Sequence, residues 1–261
     1  MLYRMENSLL VIALGCLPFA TATGQRATAK ACAWVSGSQP LSTQCEAHSS
    51  SSNAAAHASR SDSRSDNPSD PRREHHADAT GQAHAQFGGV HVHAFGSSEG
   101  SLRATASAEA TTSDQVTFTP IQKAHKGLGN WAAHSLMLVV YGGRCNGTQG
   151  VADGSFRSSC SGRLSFGGMA EPVELEVPGI YWRTLPIKIG HSYSVALRAT
   201  VEGAAYQGAF NGNFSAEGRV YLIPPQGHRV KSANGWDYVP PREITDKCPP
   251  PPGGGAKVCR H

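Results

Sequence analysis

The residues with the clearest chemical potential form three groups. His91-Val92-His93 places two imidazoles two positions apart, and in a strand such residues share a face because side chains alternate. That spacing suits Zn²⁺ or Cu²⁺ when a third ligand converges, and His75, His76, His84, His125 and His134 are the candidates to supply it. The competing reading, with Val90 and Val92 packed inward and both histidines solvated, demands less of the fold. Glu174 and Glu176 also share a strand face, close to Glu171, and paired carboxylates do acid and base work on a glycosidic bond. Pro172, Val173, Leu175 and Val177 around them read more simply as an amphipathic strand with its wet side outward.

Trp131, Tyr181, Trp182 and Trp236 are the third group, since flat aromatic faces can stack on sugars. Tyr181-Trp182 follow a Pro178-Gly179 turn and Trp236 follows Asn234-Gly235, so exposure in loops is expected; capping of a core is the alternative. Gly190-His191-Ser192-Tyr193-Ser194 approaches a hydrolase nucleophile elbow. It lacks the second glycine, and Val195-Ala196-Leu197 continue as a strand where the elbow needs a helix.

The elements that would position these groups are short strands. Apolar or alternating stretches recur at Val90–Phe95, Leu102–Ala110, Gln115–Thr119, Ser135–Tyr141, Leu164–Phe166, Val173–Val177, Leu185–Ile189, Tyr193–Val201 and Gly218–Ile223, divided by Gly, Pro, Asn and Asp. No helical period persists. The pattern predicts an all-β fold, an antiparallel β-sandwich of jelly-roll-like kind, over residues 87–238. Residues 46–86 contain no Val, Ile, Leu, Met, Phe, Tyr or Trp. A segment without large apolar side chains is expected to stay disordered, so residues 23–86 read as a Ser/Ala/His-rich linker carrying one short disulfide loop. Residues 239–261 read as a Pro/Gly-rich, disulfide-closed tail.

The N-terminus has one early cation, Arg4, then an apolar run from Leu9 to Phe19. That run is shorter than the roughly 20 residues a membrane span needs. Ala20-Thr21-Ala22 fits signal-peptidase cleavage after Ala22, which makes residues 1–22 a signal peptide and leaves no transmembrane segment. Ala13-Leu14-Gly15-Cys16 offers a degraded lipidation site as a second route. Setting Cys16 aside, the remaining cysteines of the seven fall as three local pairs, Cys32/Cys45, Cys145/Cys160 and Cys248/Cys259. No CxxC or CxxH spacing points to metal, so disulfides formed in an oxidising compartment are expected. The chain is thus expected to be secreted, periplasmic or on the cell surface. Charged residues make up 16% of the 261, and the net charge of +4 has no basic cluster, so nucleic acid is not an expected partner.

Tyr193–Tyr238, with Pro225, Gly227, Ser232, Ala233, Asn234 and Gly235, resembles the C-terminal part of exported bacterial β-sandwich ectodomain proteins that often carry a PEP-CTERM-type sorting tail. Leu102–Phe118 is similar to their companion Ala-rich strand. The resemblance covers about half the chain. It departs at the end, where VPPREITDKCPPPPGGGAKVCRH stands in place of a Pro-Glu-Pro motif, an apolar helix and a basic terminus. It implies a surface or matrix protein with no defined chemistry. The expectation is therefore a non-catalytic binder of a polysaccharide or envelope component. The alternatives are a secreted polysaccharide-active enzyme and a metal-binding periplasmic protein. No cofactor is expected beyond Zn or Cu at His91 and His93.

Overall fold

The computed structural model describes residues 24–35, 44–50, 53–65, 74–98, 102–121, 132–149, 155–206 and 210–260. In chain order the strands begin with β1 (Gly24–Val35), β2 (Gln44–Ser50), β3 (Asn53–Ser65), β4 (Glu74–Gln86), β5 (Gly89–Ser98), β6 (Leu102–Pro120) and β7 (Ala132–Gln149). They continue with β8 (Ser155–Phe166), β9 (Val173–Leu175), β10 (Gly179–Lys188), β11 (Ser192–Tyr206), β12 (Phe210–Ile223) and β13 (His228–Ser232). A short helix, α1 (Arg242–Lys247), and β14 (Ala256–Arg260) close the chain. The first sheet has the order β2-β1-β6-β11-β8-β9, with β13 paired to β6, and the second has the order β14-β10-β7-β12-β5-β4-β3. Every strand pair is antiparallel. The expected two-sheet β-sandwich is the observed architecture.

Within residues 23–86 the described stretches 24–35, 44–50, 53–65 and 74–86 are strands, and β4 pairs along its length with β3 and from Ala77 to Gln86 with β5. The reason lies in periodicity. Ala54, Ala56 and Ala58 on β3, and Ala77, Ala79, Ala83 and Ala85 on β4, fall at alternate positions and are buried. Across from them stand Ala106, Ala108 and Ala110 on β6. A methyl group fills little depth, so the sheets come together: facing strands β4 and β6, and β5 and β6, bring Cα atoms within 8 Å of each other. Ordinary stacked sheets lie about 10 Å apart.

At the other side of the sandwich the interior holds Phe118, Met137, Tyr141, Leu164, Phe166, Leu175, Leu185 and Leu222. Glycines make room for the largest rings. The Phe214 ring from the second sheet lies where a Cβ on Gly203 of the first would stand, 2.2 Å from it, and Tyr141 sits 2.8 Å from the corresponding point on Gly162. Asp114 on β6 is buried at the margin between the alanine and large-side-chain regions, following Ala106, Ala108, Ala110 and Thr112 and preceding Val116 and Phe118. It accepts hydrogen bonds from Ser232 Oγ (2.5 Å), Asn234 Nδ2 (2.8 Å) and Tyr238 Oη (3.0 Å). Burial and the adjacent Asp114 carboxylate hold the Tyr238 phenol above its ordinary range. Residues 232–238 are thereby clipped to β6.

Two expected disulfides are present. Cys145–Cys160 joins β7 of the second sheet to β8 of the first, and Cys248–Cys259 closes the end of the chain. Closing a loop of this size contributes about 3 kcal/mol in the chain-entropy picture. The side chains of Cys32 and Cys45, and all of residues 1–22 with Cys16, lie outside the described residues. The tail expected as a separate Pro/Gly segment packs on the sandwich. Leu138, Ile180, Trp182, Tyr221 and Cys248 form a second buried cluster on the outer face of the second sheet, with Ile244 of α1 and Cys259 of β14 against it.

Candidate functional site

The tail covers the β10–β7 part of that outer face and the end of β12 at residues 221–223. Beyond it, β4, β5 and β12 present their other side chains in register, with the inward Val90, Val92, Ala94 and Ala216 fixing the backbone beneath. One row is His84, His91 and Glu217; the next is Gln82, His93 and Ser215; the third is Thr80, Phe95 and Asn213. His91, Asn213 and Glu217 are exposed, and His84, His93 and Phe95 are half-buried. His93 Nε2 lies 2.7 Å from Asn213 Oδ1. A hollow of about 50 Å³ opens beside the first row, lined by His84, Gln86, His91, Glu217 and Arg219. Trp236 borders the same end of the sheet. Its indole lies 2.1 Å from where a Cβ on Gly88 would stand, and Gly88 has φ of 73°, so only glycine fits this β4–β5 turn on two counts.

His91 and His93 share the outer face, as the sequence predicts, but their neighbours come from other strands. His91 stands between His84 and Glu217, whereas His93 is engaged by Asn213. His134 is on β7 opposite Pro186, and His125 lies outside the described residues. Glu174 and Glu176 point outward, and Glu174 is ion-paired to Arg163 at 3.2 Å. With β9 ending at Leu175, Glu176 lies beyond the strand. Gly190-His191 is a turn between β10 and β11, with no helix after the serine.

The aromatic group does not form one platform. Trp182 is only 1% exposed and donates from Nε1 to the Cys248 carbonyl at 3.0 Å, so its faces belong to the core beneath the tail. Its place in a strand, with β14 pairing alongside, overrides the exposure expected after Pro178-Gly179. Tyr181 is half-buried, its hydroxyl donating to the Val177 carbonyl. Trp236 retains 37% exposure, and Trp131 lies outside the described residues. The sequence does not single out Phe95 or Glu217, and it offers His84 as one of five candidate third ligands, because only the strand register shows which residues stand beside His91 and His93.

A second concavity of about 370 Å³ opens between residues 168–173 and β10. Met169, Pro172, Val173 and Pro186 give it apolar walls, and Glu171 and Arg183 bring opposite charges to it. Its volume is at the lower end for small-molecule clefts. No protein-family model, no curated protein and no solved structure matches this chain.

Proposed function

We propose that this chain is an exported, non-catalytic β-sandwich that binds a polysaccharide or another surface or matrix component through the uncovered part of its second sheet. The observation that carries the reading is the division of that sheet's outer face. The tail seals the apolar part, while the β4–β5–β12 part offers Phe95 and Trp236 as ring surfaces among amide, imidazole, carboxylate and guanidinium groups. Such a mixture suits a glycan, which presents both C–H faces and hydroxyls. Export is supported by the two disulfides, which persist in oxidising compartments, and by the resemblance to exported ectodomains. Among the described residues no helix is long and apolar enough to cross a membrane.

The enzyme alternative has less support in the acidic strand, because Glu174 is paired with Arg163. Affinity electrophoresis of the full chain in gels containing different polysaccharides tests the reading. Retardation by at least one glycan is expected. Phe95→Ala and Asn213→Ala should each weaken it about tenfold, the equivalent of roughly 1.4 kcal/mol. Retardation by none, or new reducing ends released by the unaltered chain, would overturn the non-catalytic binding role.

A further inference from the structure

The cleft between residues 168–173 and β10 has walls that are set before any ligand arrives. On one side, Gly167 N donates to the Ser194 carbonyl at 2.7 Å and Met169 N donates to the Phe166 carbonyl at 3.0 Å. These bonds close a tight turn through Gly168, whose φ of 108° is one that L side chains rarely adopt. Val173 then pairs with Leu164 and is buried, which ties down the far end of the loop. On the other side, Leu185 and Ile187 point into the sandwich and anchor β10. Thr184 holds the tail from the same strand: its N–H donates to the Gly255 carbonyl at 3.0 Å, and its hydroxyl accepts from Gly255 N at 2.6 Å. The result is a concavity of about 370 Å³ with Met169, Pro172, Val173 and Pro186 as apolar walls. Glu171 on the loop and Arg183 on the strand are both exposed at it, and neither is ion-paired among the described residues.

We propose that this cleft binds a small zwitterion with an apolar body, of the size of an α-amino acid or a dipeptide. Liquid water occupies about 30 Å³ per molecule, so the space corresponds to roughly a dozen waters, or to a ligand of about as many non-hydrogen atoms. Arg183 supplies a planar fork of donors that suits a carboxylate, and Glu171 accepts hydrogen bonds from an ammonium group. The two charges come from opposite walls. A ligand carrying both signs satisfies both, whereas a simple anion is repelled by Glu171 and a simple cation by Arg183. The apolar walls receive the hydrocarbon part of the ligand, as in most small-molecule clefts. Because hydrogen-bonded turns and two prolines already fix those walls, little ordering opposes binding. A neutral glycan would use neither charge, and no residue lining the cleft belongs to the β4–β5–β12 face, so the two sites are independent.

The test is a titration of the full chain, labelled with ¹³C in its methionine methyl groups, with L-leucine, L-phenylalanine and the dipeptide Leu-Leu. Met169 lines the cleft, and comparison with M169L assigns its signal among the four methionines. Saturable movement of the Met169 methyl signal by at least one of the three is expected, and the amino acids against the dipeptide show which length the cleft accepts. L-leucinamide and N-acetyl-L-leucine, each lacking one of the two charges, should bind about tenfold more weakly or worse. E171Q and R183Q should each weaken binding by a similar factor. K188Q, which removes an exposed cation of the same strand outside the cleft, should leave it unchanged. Glu171 and Arg183 are both solvent-exposed, so a circular-dichroism melt matching the unaltered chain confirms that the variants fold. A Met169 signal unmoved by all three ligands would overturn the proposal. Equal binding by the single-charge analogues, or undiminished binding in a folded E171Q/R183Q double variant, would overturn it as well.

Discussion

The two sides of this sandwich solve the same packing problem with different material. Near β3 and β4 the interior is built from alternating alanines, and the sheets approach until backbone nearly faces backbone. Near β7 and β10 it is built from Leu, Met, Phe and Tyr, with glycines cut out beneath Phe214 and Tyr141, and a tail is laid over the outside, burying Trp182, as a further layer. Each alanine removes little apolar surface from water, so the first side gains through many contacts at short range and a ladder paired on both flanks. The second side gains through a few large side chains, each burying far more area. Asp114 stands at the margin between them, and its three side-chain donors all come from residues 232–238. The contrast teaches that small residues alone can extend a sheet, provided the facing sheet is close enough for methyl groups to touch.

The two interiors should respond oppositely to changes in volume, and the largest effect is expected where side chains are largest. Trp182→Ala should destabilise the chain by about 3–5 kcal/mol, because it empties the centre of the tail-covered cluster and leaves the Cys248 carbonyl without its indole donor. Urea unfolding followed by circular dichroism measures this. A loss below about 1 kcal/mol would mean that the tail lies on the sheet without forming a core. On the alanine side, enlargement is the disruptive change. Ala108→Leu should cost about 1–3 kcal/mol by forcing the close sheets apart, whereas the volume-conserving Leu197→Met should cost less than about 1.5 kcal/mol. Thermal melts of the pair decide it; equal tolerance at both positions would show that the alanine interior has slack.

The same contrast explains what could be read from the chain before its structure. The strands with Val, Ile, Leu and aromatic residues announce themselves: the expected Val90–Phe95 and Tyr193–Val201 lie inside β5 and β11. Their true ends, and the inward rows of β3 and β4, are built from small residues whose alternation is visible but whose burial depends on a sheet distant in sequence. Leu102–Ala110 and Gln115–Thr119 read as two strands because Thr111–Asp114 is polar, yet β6 runs through, with Asp114 satisfied by residues near 234. Candidate site residues divide in the same way. Local spacing placed His91 and His93 on one face correctly. It could not show that Glu217 and His84 flank the first, that Asn213 holds the second, or that a tail with a disulfide would bury Trp182.

The smallest effect at neutral pH, and the most discriminating one, concerns Tyr141. Its ring fills the space over Gly162, but its buried hydroxyl has no hydrogen-bond partner among the described residues. Desolvation, with a lesser contribution from nearby Tyr181, pushes its pKa up from 10.0 to about 12. Tyr141→Phe keeps the ring and removes the unsatisfied oxygen, so stability at pH 7 should be unchanged or raised by at most about 1 kcal/mol. The difference should widen in alkali. Between pH 10 and about 12 the unfolded chain releases the Tyr141 proton while the folded chain retains it. The unfolded state then binds fewer protons than the native one, and stability falls as pH rises. The unaltered chain carries this term and Tyr141→Phe does not, whereas Tyr238 contributes equally to both. Urea midpoints should therefore run parallel up to about pH 9 and diverge above pH 10 in favour of the variant. Parallel midpoints throughout would mean that the hydroxyl finds water or a partner in solution, and that the large-side-chain interior is less tightly closed around it than the alanine one.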